Sequence, residues 1–191
     1  WSSDVCSSDL RELGGLEAKR IPAGGQPRSL FVSPDGQWLG YFDEDASQLK
    51  RVAFDGGPAQ VLTRLDGVAR GATWGPDGSI VFAAGGRTGL LQVGDGGGDP
   101  VVLTTPDATR GEEDHVWPEF LPDGRHVLFT ILSTQGGFAA AQVAVLDRVT
   151  RTYRVILRGG SHAQYVTSGH LLYVTPGGLL AVPFDTAALE V

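Results

Sequence analysis

Two groupings in this chain bring together side chains that could do chemistry. Glu112-Glu113-Asp114-His115 sets three carboxylates beside an imidazole, donors that suit a divalent cation. The spacing matches no calcium loop. The cluster is therefore read as structural or solvated, near one mouth of a channel, with cation binding as the alternative. Ser161-His162 places a hydroxyl beside a potential base. Neighbours on a strand point to opposite faces, and no Gly-x-Ser-x-Gly elbow surrounds Ser161, so a strand-entry loop is expected there rather than a nucleophile.

Other motifs are lookalikes. Phe54-Asp55-Gly56 reverses the order of the Asp-Phe-Gly metal motif of protein kinases, and it falls at a turn between two strand-like runs. Gly94-Asp-Gly-Gly-Gly98 has the glycines of a phosphate loop but no Gly-Lys-Ser/Thr and no following helix, so a hairpin is expected. No glycine-rich loop with a strand lysine and no His-Arg-Asp loop is present. No catalytic, cofactor-binding or metal residue is assigned, no cofactor is expected, and the segment is read as not itself an enzyme.

The elements that would position such groups are set by a repeat. Pro34-Asp35-Gly36, Pro76-Asp77-Gly78 and Pro122-Asp123-Gly124 recur, with a degenerate copy closing at Gly169; the four glycines lie 42, 46 and 45 residues apart. Proline presets φ at the second turn position and glycine supplies the left-handed conformation that closes the hairpin. Four strand-like runs fall in each period: 30–33, 38–42, 49–54 and 60–63; then 72–74, 80–83, 90–93 and 101–104; then 116–120, 127–132, 142–146 and 153–157. A fourth set begins at 163–166, 171–174 and 179–184, and Leu16 to Pro22 reads as the outer strand of an earlier unit. The expectation is an all-β fold, a β-propeller fragment of four-stranded antiparallel blades with about three whole blades and two part-blades.

Within that frame, Phe31, Trp74, Trp117 and Phe120 fall on or beside first strands and Trp38, Phe82 and Phe129 on second strands, as packing between blades would require. His126 and His170 open second strands and are read as blade packing. Asp43-Glu44-Asp45 is read as a solvated hairpin tip.

Composition fits a globular β protein: 41% hydrophobic residues, with 28 glycines and 11 prolines to make turns. A net charge of −7 argues against nucleic acid or anionic lipid as partner, since both attract basic surfaces. No apolar run reaches the length of a membrane span. Residues 1–10, Trp-Ser-Ser-Asp-Val-Cys-Ser-Ser-Asp-Leu, resemble a translated sequencing adapter of the kind carried by metagenomic gene fragments, and are set apart as non-native. Cys6 goes with them, leaving residues 11–191 without a thiol. The chain has no methionine and ends within a repeat, so a piece of a longer product is expected, whose remaining blades would be its partners.

The phrases Phe31-Val-Ser-Pro-Asp-Gly36, Gly71-Ala-Thr-Trp-Gly-Pro-Asp-Gly78, Arg110-Gly-Glu-Glu-Asp-His115, Trp117-Pro-Glu-Phe-Leu-Pro-Asp-Gly124, Gly159-Gly-Ser161 and Gly169-His-Leu-Leu-Tyr173 resemble, in order, the TolB-like (WD-repeat-like) propeller found C-terminal to bacterial serine/threonine protein kinases. The resemblance spans residues 11–191. It implies a non-catalytic sensor or protein-interaction domain, extracytoplasmic and joined through a membrane span to a cytoplasmic kinase. Similar blades occur in TolB, a periplasmic scaffold, and in the N-terminal propeller of prolyl oligopeptidase-family serine peptidases. These are the alternative parents.

Overall fold

The Pro-Asp-Gly turns close hairpins as their chemistry requires. In the computed structural model, which describes residues 8–10, 19–21, 23–85 and 88–191, the N–H of Gly36 donates to the Ser33 carbonyl, that of Gly78 to Gly75 and that of Gly124 to Leu121. The three glycines have φ of 68°, 79° and 65°. The aspartate also braces each turn from its side chain: Asp35 Oδ1 accepts from the N–H of Gln37, Asp77 Oδ1 from that of Ser79, and Asp123 Oδ1 from those of Arg125 and His126.

Around these turns stand four antiparallel sheets. The first joins β3 (Pro27–Val32), β4 (Trp38–Asp43), β5 (Gln48–Ala53) and β6 (Gln60–Arg64); the second joins β7 (Ala69–Trp74), β8 (Ser79–Ala84), β9 (Leu90–Gly94) and β10 (Val101–Val102). The third holds β11 (Glu112–Phe120), β12 (His126–Ser133), β13 (Gln142–Asp147) and β14 (Thr152–Arg158), and the fourth has three strands, β15 (Ser161–Val166), β16 (His170–Thr175) and β17 (Gly178–Pro183). Strands follow in chain order within each sheet, so each is a meander. Successive first strands, β3, β7, β11 and β15, lie against one another, which places them on the inner side of an arc of blades.

Second strands carry near-continuous apolar runs because both of their faces are covered. Along β8, Ile80, Phe82 and Ala84 pack toward the first blade with Phe31, Phe42 and Trp74, whereas Val81 and Ala83 pack toward the third with Phe129 and Ile131. Along β12, Val127, Phe129 and Ile131 face the second blade and Leu128 faces the fourth, with Leu171 and Phe184. The core is therefore a series of layers between sheets. Phe31, Trp74, Phe82 and Phe129 lie in them as expected from strand period.

The arc's outward faces are less covered. On the first blade, Ile21 and Ala23 shield Leu39, Tyr41 and Val52, but Leu30 and Val32 stay exposed. On the fourth, Val174 and Leu179 are exposed.

Two segments differ from the sequence expectation. Asp43 is not at a solvated tip: it is 2% exposed, accepting from Lys50 Nζ at 2.6 Å and from the N–H groups of Gln26 and Ala46. The hairpin bends its carboxylate inward, where a cation and amides hold it below its usual pKa against the opposing effect of burial. At the N-terminus, β1 (Ser8–Leu10) pairs with β2 (Lys19–Ile21), so the outer strand expected over Leu16–Pro22 is described only at Lys19–Ile21. Cys6, most of the tail set apart by composition, and residues 11–18 lie outside the described residues.

Candidate functional site

The acidic cluster at the start of β11 turns inward. Glu112 and Asp114 are buried and His115 is fully so, while Glu113 is exposed. The cluster is thus no open channel-mouth site. β-Bulges between Glu112 and Asp114 and between Val116 and Glu119 interrupt strict alternation along the strand, which brings carboxylate and imidazole to one side. Glu112 Oε2 accepts from Tyr153 Oη at 2.6 Å, from the Asp107 N–H at 2.9 Å and from His115 Nε2 at 3.1 Å. On the far side of the ring, His115 Nδ1 lies 2.8 Å from Thr104 Oγ1, which itself accepts from the Leu90 N–H.

Every group in this chain is satisfied if His115 is neutral, donating through Nε2 and accepting at Nδ1. Burial holds the imidazole below its ordinary pKa, against the pull of Glu112. Burial alone would raise Glu112, but the bonds from Asp107, Tyr153 and His115 outweigh it and keep the carboxylate below its usual range. Tyr153 is raised by burial and by the carboxylate it serves. The network ties the entry loop of the third blade to its outer strand. Among the described residues, no three His, Cys, Asp or Glu side chains converge as a metal site.

Ser161 and His162 come closer than strand alternation predicts, because His162 has φ of 51° and breaks the alternation. Even so, Nδ1 and Oγ are 3.5 Å apart, at the outer limit of a hydrogen bond, and Ser161 is buried with its hydroxyl toward the Val174 carbonyl. Phe54-Asp55-Gly56 lies on the β5–β6 turn, with the Gly56 N–H donating to Ala53. The glycine run 94–98 serves an approach between blades: the Gly98 N–H donates to the Leu62 carbonyl, and a Cβ on Gly97 would sit 2.9 Å from that oxygen. His126 Nδ1 pairs with Asp123 of its own turn, and His170 Nδ1 meets the Ser168 carbonyl.

A different set of residues forms the concave site. Ser29, Gly71, Trp117 and His162 each stand seven residues before a turn glycine, and all four have positive φ: 47°, 101°, 52° and 51°. Each coincides with a register shift in its first strand, at Arg28/Phe31, Ala69/Ala72, Val116/Glu119 and Ser161/Gln164. Every blade thus carries the same left-handed bulge on its inner strand. Bulges of this kind re-aim side chains and break the two-residue alternation of the strand.

Where three of these bulges meet, on the second, third and fourth blades, they line a recess of about 160 Å³ with Glu119, Pro118, Ala163 and Gln164. The Trp117 indole stacks on His162 at 3.4 Å and on Phe138 of the β12–β13 loop at 6.0 Å. Trp117 is half-buried, packed against the layer between the second and third blades as expected and lining the recess as well. The fit is close: a Cβ on Gly71 would lie 3.1 Å from the Trp117 Cα. Burial lowers the pKa of His162 and raises that of Glu119. Among the described residues, no hydrogen bond or ion pair compensates the Glu119 carboxylate.

The class that this geometry defines is a β-propeller, built of meander blades around an axis. Solved structures that share this fold include two TolB proteins. A putative TolB from Agrobacterium tumefaciens superposes with a TM-score of 0.66 at 14% identity, over 86% of this chain and 60% of that one. TolB from Acinetobacter baumannii gives 0.60 at 14%, over 88% and 46%. An oligogalacturonate lyase in complex with manganese gives 0.68 at 12%, over 92% and 55%. The chain spans about half the length of these structures. By sequence it matches no family model and no curated protein. No helix among the described residues is long and apolar enough to cross a membrane.

Proposed function

We propose that this chain is a recognition module without catalytic activity, the extracytoplasmic C-terminal sensor propeller of a bacterial receptor-like serine/threonine protein kinase. One observation carries the recognition reading: the polar groups that could do chemistry are consumed internally, while the repeated inner-strand bulges leave a recess with an uncompensated carboxylate. The kinase context rests on the resemblance of the blade motifs, with the rest of the propeller as the first partner. Likeness to two TolB structures favours a second parent, a periplasmic scaffold.

Two experiments test the proposal. The purified chain, incubated with ATP and a generic peptide or with ester and peptidyl substrates, gives no turnover above background. Turnover abolished by Ser161→Ala overturns the non-catalytic reading. The complete reading frame decides the parent: a kinase domain and a membrane span upstream support the sensor, whereas a signal peptide with no kinase, or a hydrolase domain downstream, overturns it.

A further inference from the structure

We propose that the recess between the inner strands of the second, third and fourth blades accepts one long cationic side chain, lysine or arginine, from a partner polypeptide. The proposal rests on reading this recess as a recognition site and adds the chemistry of what enters it.

Three observations converge. First, the volume is about 160 Å³, below the roughly 300–1,000 Å³ of sites that enclose a whole small molecule, and suited to a single side chain. Second, the lining divides by character. Ala72, Pro118, Ala163 and Trp117 offer apolar surface, and the Trp117 indole is already stacked with His162 and with Phe138, so the ring serves as a wall. Glu119 then supplies the one charged group of the lining, half-buried and without a compensating cation among the described residues. An aliphatic stem with a charged head matches that division: the stem covers apolar wall and the head meets the carboxylate.

Third, a half-buried carboxylate that bonds to no neighbour among the described residues is completed most readily by an incoming cation. The same position in the second blade is Thr73, whose hydroxyl is used by the Phe120 N–H of the neighbouring strand. Glu119 thus occupies a place that elsewhere serves blade packing, yet here bonds to no neighbour among the described residues. The chain's net charge of −7 favours the approach of cationic groups from a distance.

The test uses the whole chain and capped tripeptides of the form glycine-X-glycine, with X lysine, arginine or norleucine, alongside free n-butylammonium, followed through the Trp117 indole N–H resonance. The lysine and arginine peptides shift that resonance saturably and the norleucine peptide does not. Glu119→Gln weakens the response about tenfold or more, with a thermal midpoint no lower than that of the parent, and Glu119→Asp restores part of it. Norleucine binding as well as lysine, or unchanged binding by Glu119→Gln, overturns the cationic assignment while the recognition reading stands. Tighter binding of n-butylammonium than of the lysine peptide overturns a polypeptide source in favour of a free amine. No response to any probe overturns the proposal outright, and the recognition reading is then decided by the turnover and reading-frame experiments.

Discussion

Arg148 shows how single residues fasten one blade to the next. Its Nη2 lies 2.7 Å from Asp77 on the second blade's Pro-Asp-Gly turn and 2.9 Å from the Gly124 carbonyl, its Nη1 meets Gln92, and the guanidinium lies over Phe120. The Arg148 side chain is 11% exposed and that of Asp77 50%, so solvent screens one end only. Arg148→Ala removes several charge-assisted bonds and leaves the carbonyl of buried Gly124 without its cation. We expect a loss of about 2 kcal/mol, read as a lower urea midpoint with unchanged m-value. A change below a few tenths would show that the cluster is ornamental.

The Glu112–His115 network makes a second residue-scale prediction, in pH. His115 has a folded pKa below that of the unfolded chain, so acidification through about pH 6.5 protonates the unfolded state first and stability falls. His162 contributes with the same sign. Glu112, also depressed, contributes stability that is present above about pH 4.3 and is lost on further acidification. Urea midpoints should therefore drop between pH 7.5 and 5.5, and His115→Gln should flatten that slope although it lowers the midpoint at pH 7.5. Glu119 runs the other way: its raised pKa penalises the folded state at neutral pH, so Glu119→Gln stabilises at pH 7 and gains nothing once both states are protonated.

At the scale of the element, the turns and the strands after them were legible because proline, aspartate and glycine each have a stereochemical task there. The second strands, 38–43, 79–84 and 126–133, match the sequence reading within one residue at each end. The first strands were legible only in their second halves. The strand pattern marks 72–74 in β7, which spans Ala69–Trp74, and 116–120 in β11, which spans Glu112–Phe120. The missing residues lie before or at a left-handed bulge, which destroys the two-residue period. Glycine marks that bulge only at Gly71; serine, tryptophan and histidine hold it elsewhere. Its constant distance from the turn glycine was the available signal. The recess was hidden for the same reason, whereas the acidic cluster drew notice by composition alone.

The turn glycines can be compared directly. Gly36 and Gly124 occupy the same position with similar φ, but a Cβ on Gly36 would meet nothing within 4 Å, whereas one on Gly124 would lie 2.6 Å from Cγ of Pro76 on the neighbouring blade's turn. Gly36→Ala should cost only the left-handed penalty, about 1 kcal/mol. Gly124→Ala adds displacement of that turn and should cost about 2–3 kcal/mol. Equal losses in thermal or urea melts would mean that the turns do not pack between blades.

For the whole molecule, the consequence of an arc is that interior-type surface is displayed at its two outward faces. Leu30 and Val32 on one face and Val174 and Leu179 on the other are 43–69% exposed, although Trp74, Ala83 and Phe129 at matching positions of the inner blades are buried. Apolar area left in water forfeits about 25 cal/mol per Å², and a patch of a few hundred Å² is comparable with the roughly 5–15 kcal/mol that stabilises a domain. Association is the expected response, and the fourth blade adds an edge strand, β17, whose backbone can pair with another chain. Sedimentation of residues 11–191 should therefore show concentration-dependent oligomers with raised binding of a hydrophobic dye. Leu179→Lys combined with Leu30→Lys should shift the distribution toward monomer without loss of sheet content, because both positions are exposed and neither belongs to a layer between blades. A parent chain that stays monomeric at all concentrations and melts in one sharp, concentration-independent transition would show that the arc needs no neighbour on either face.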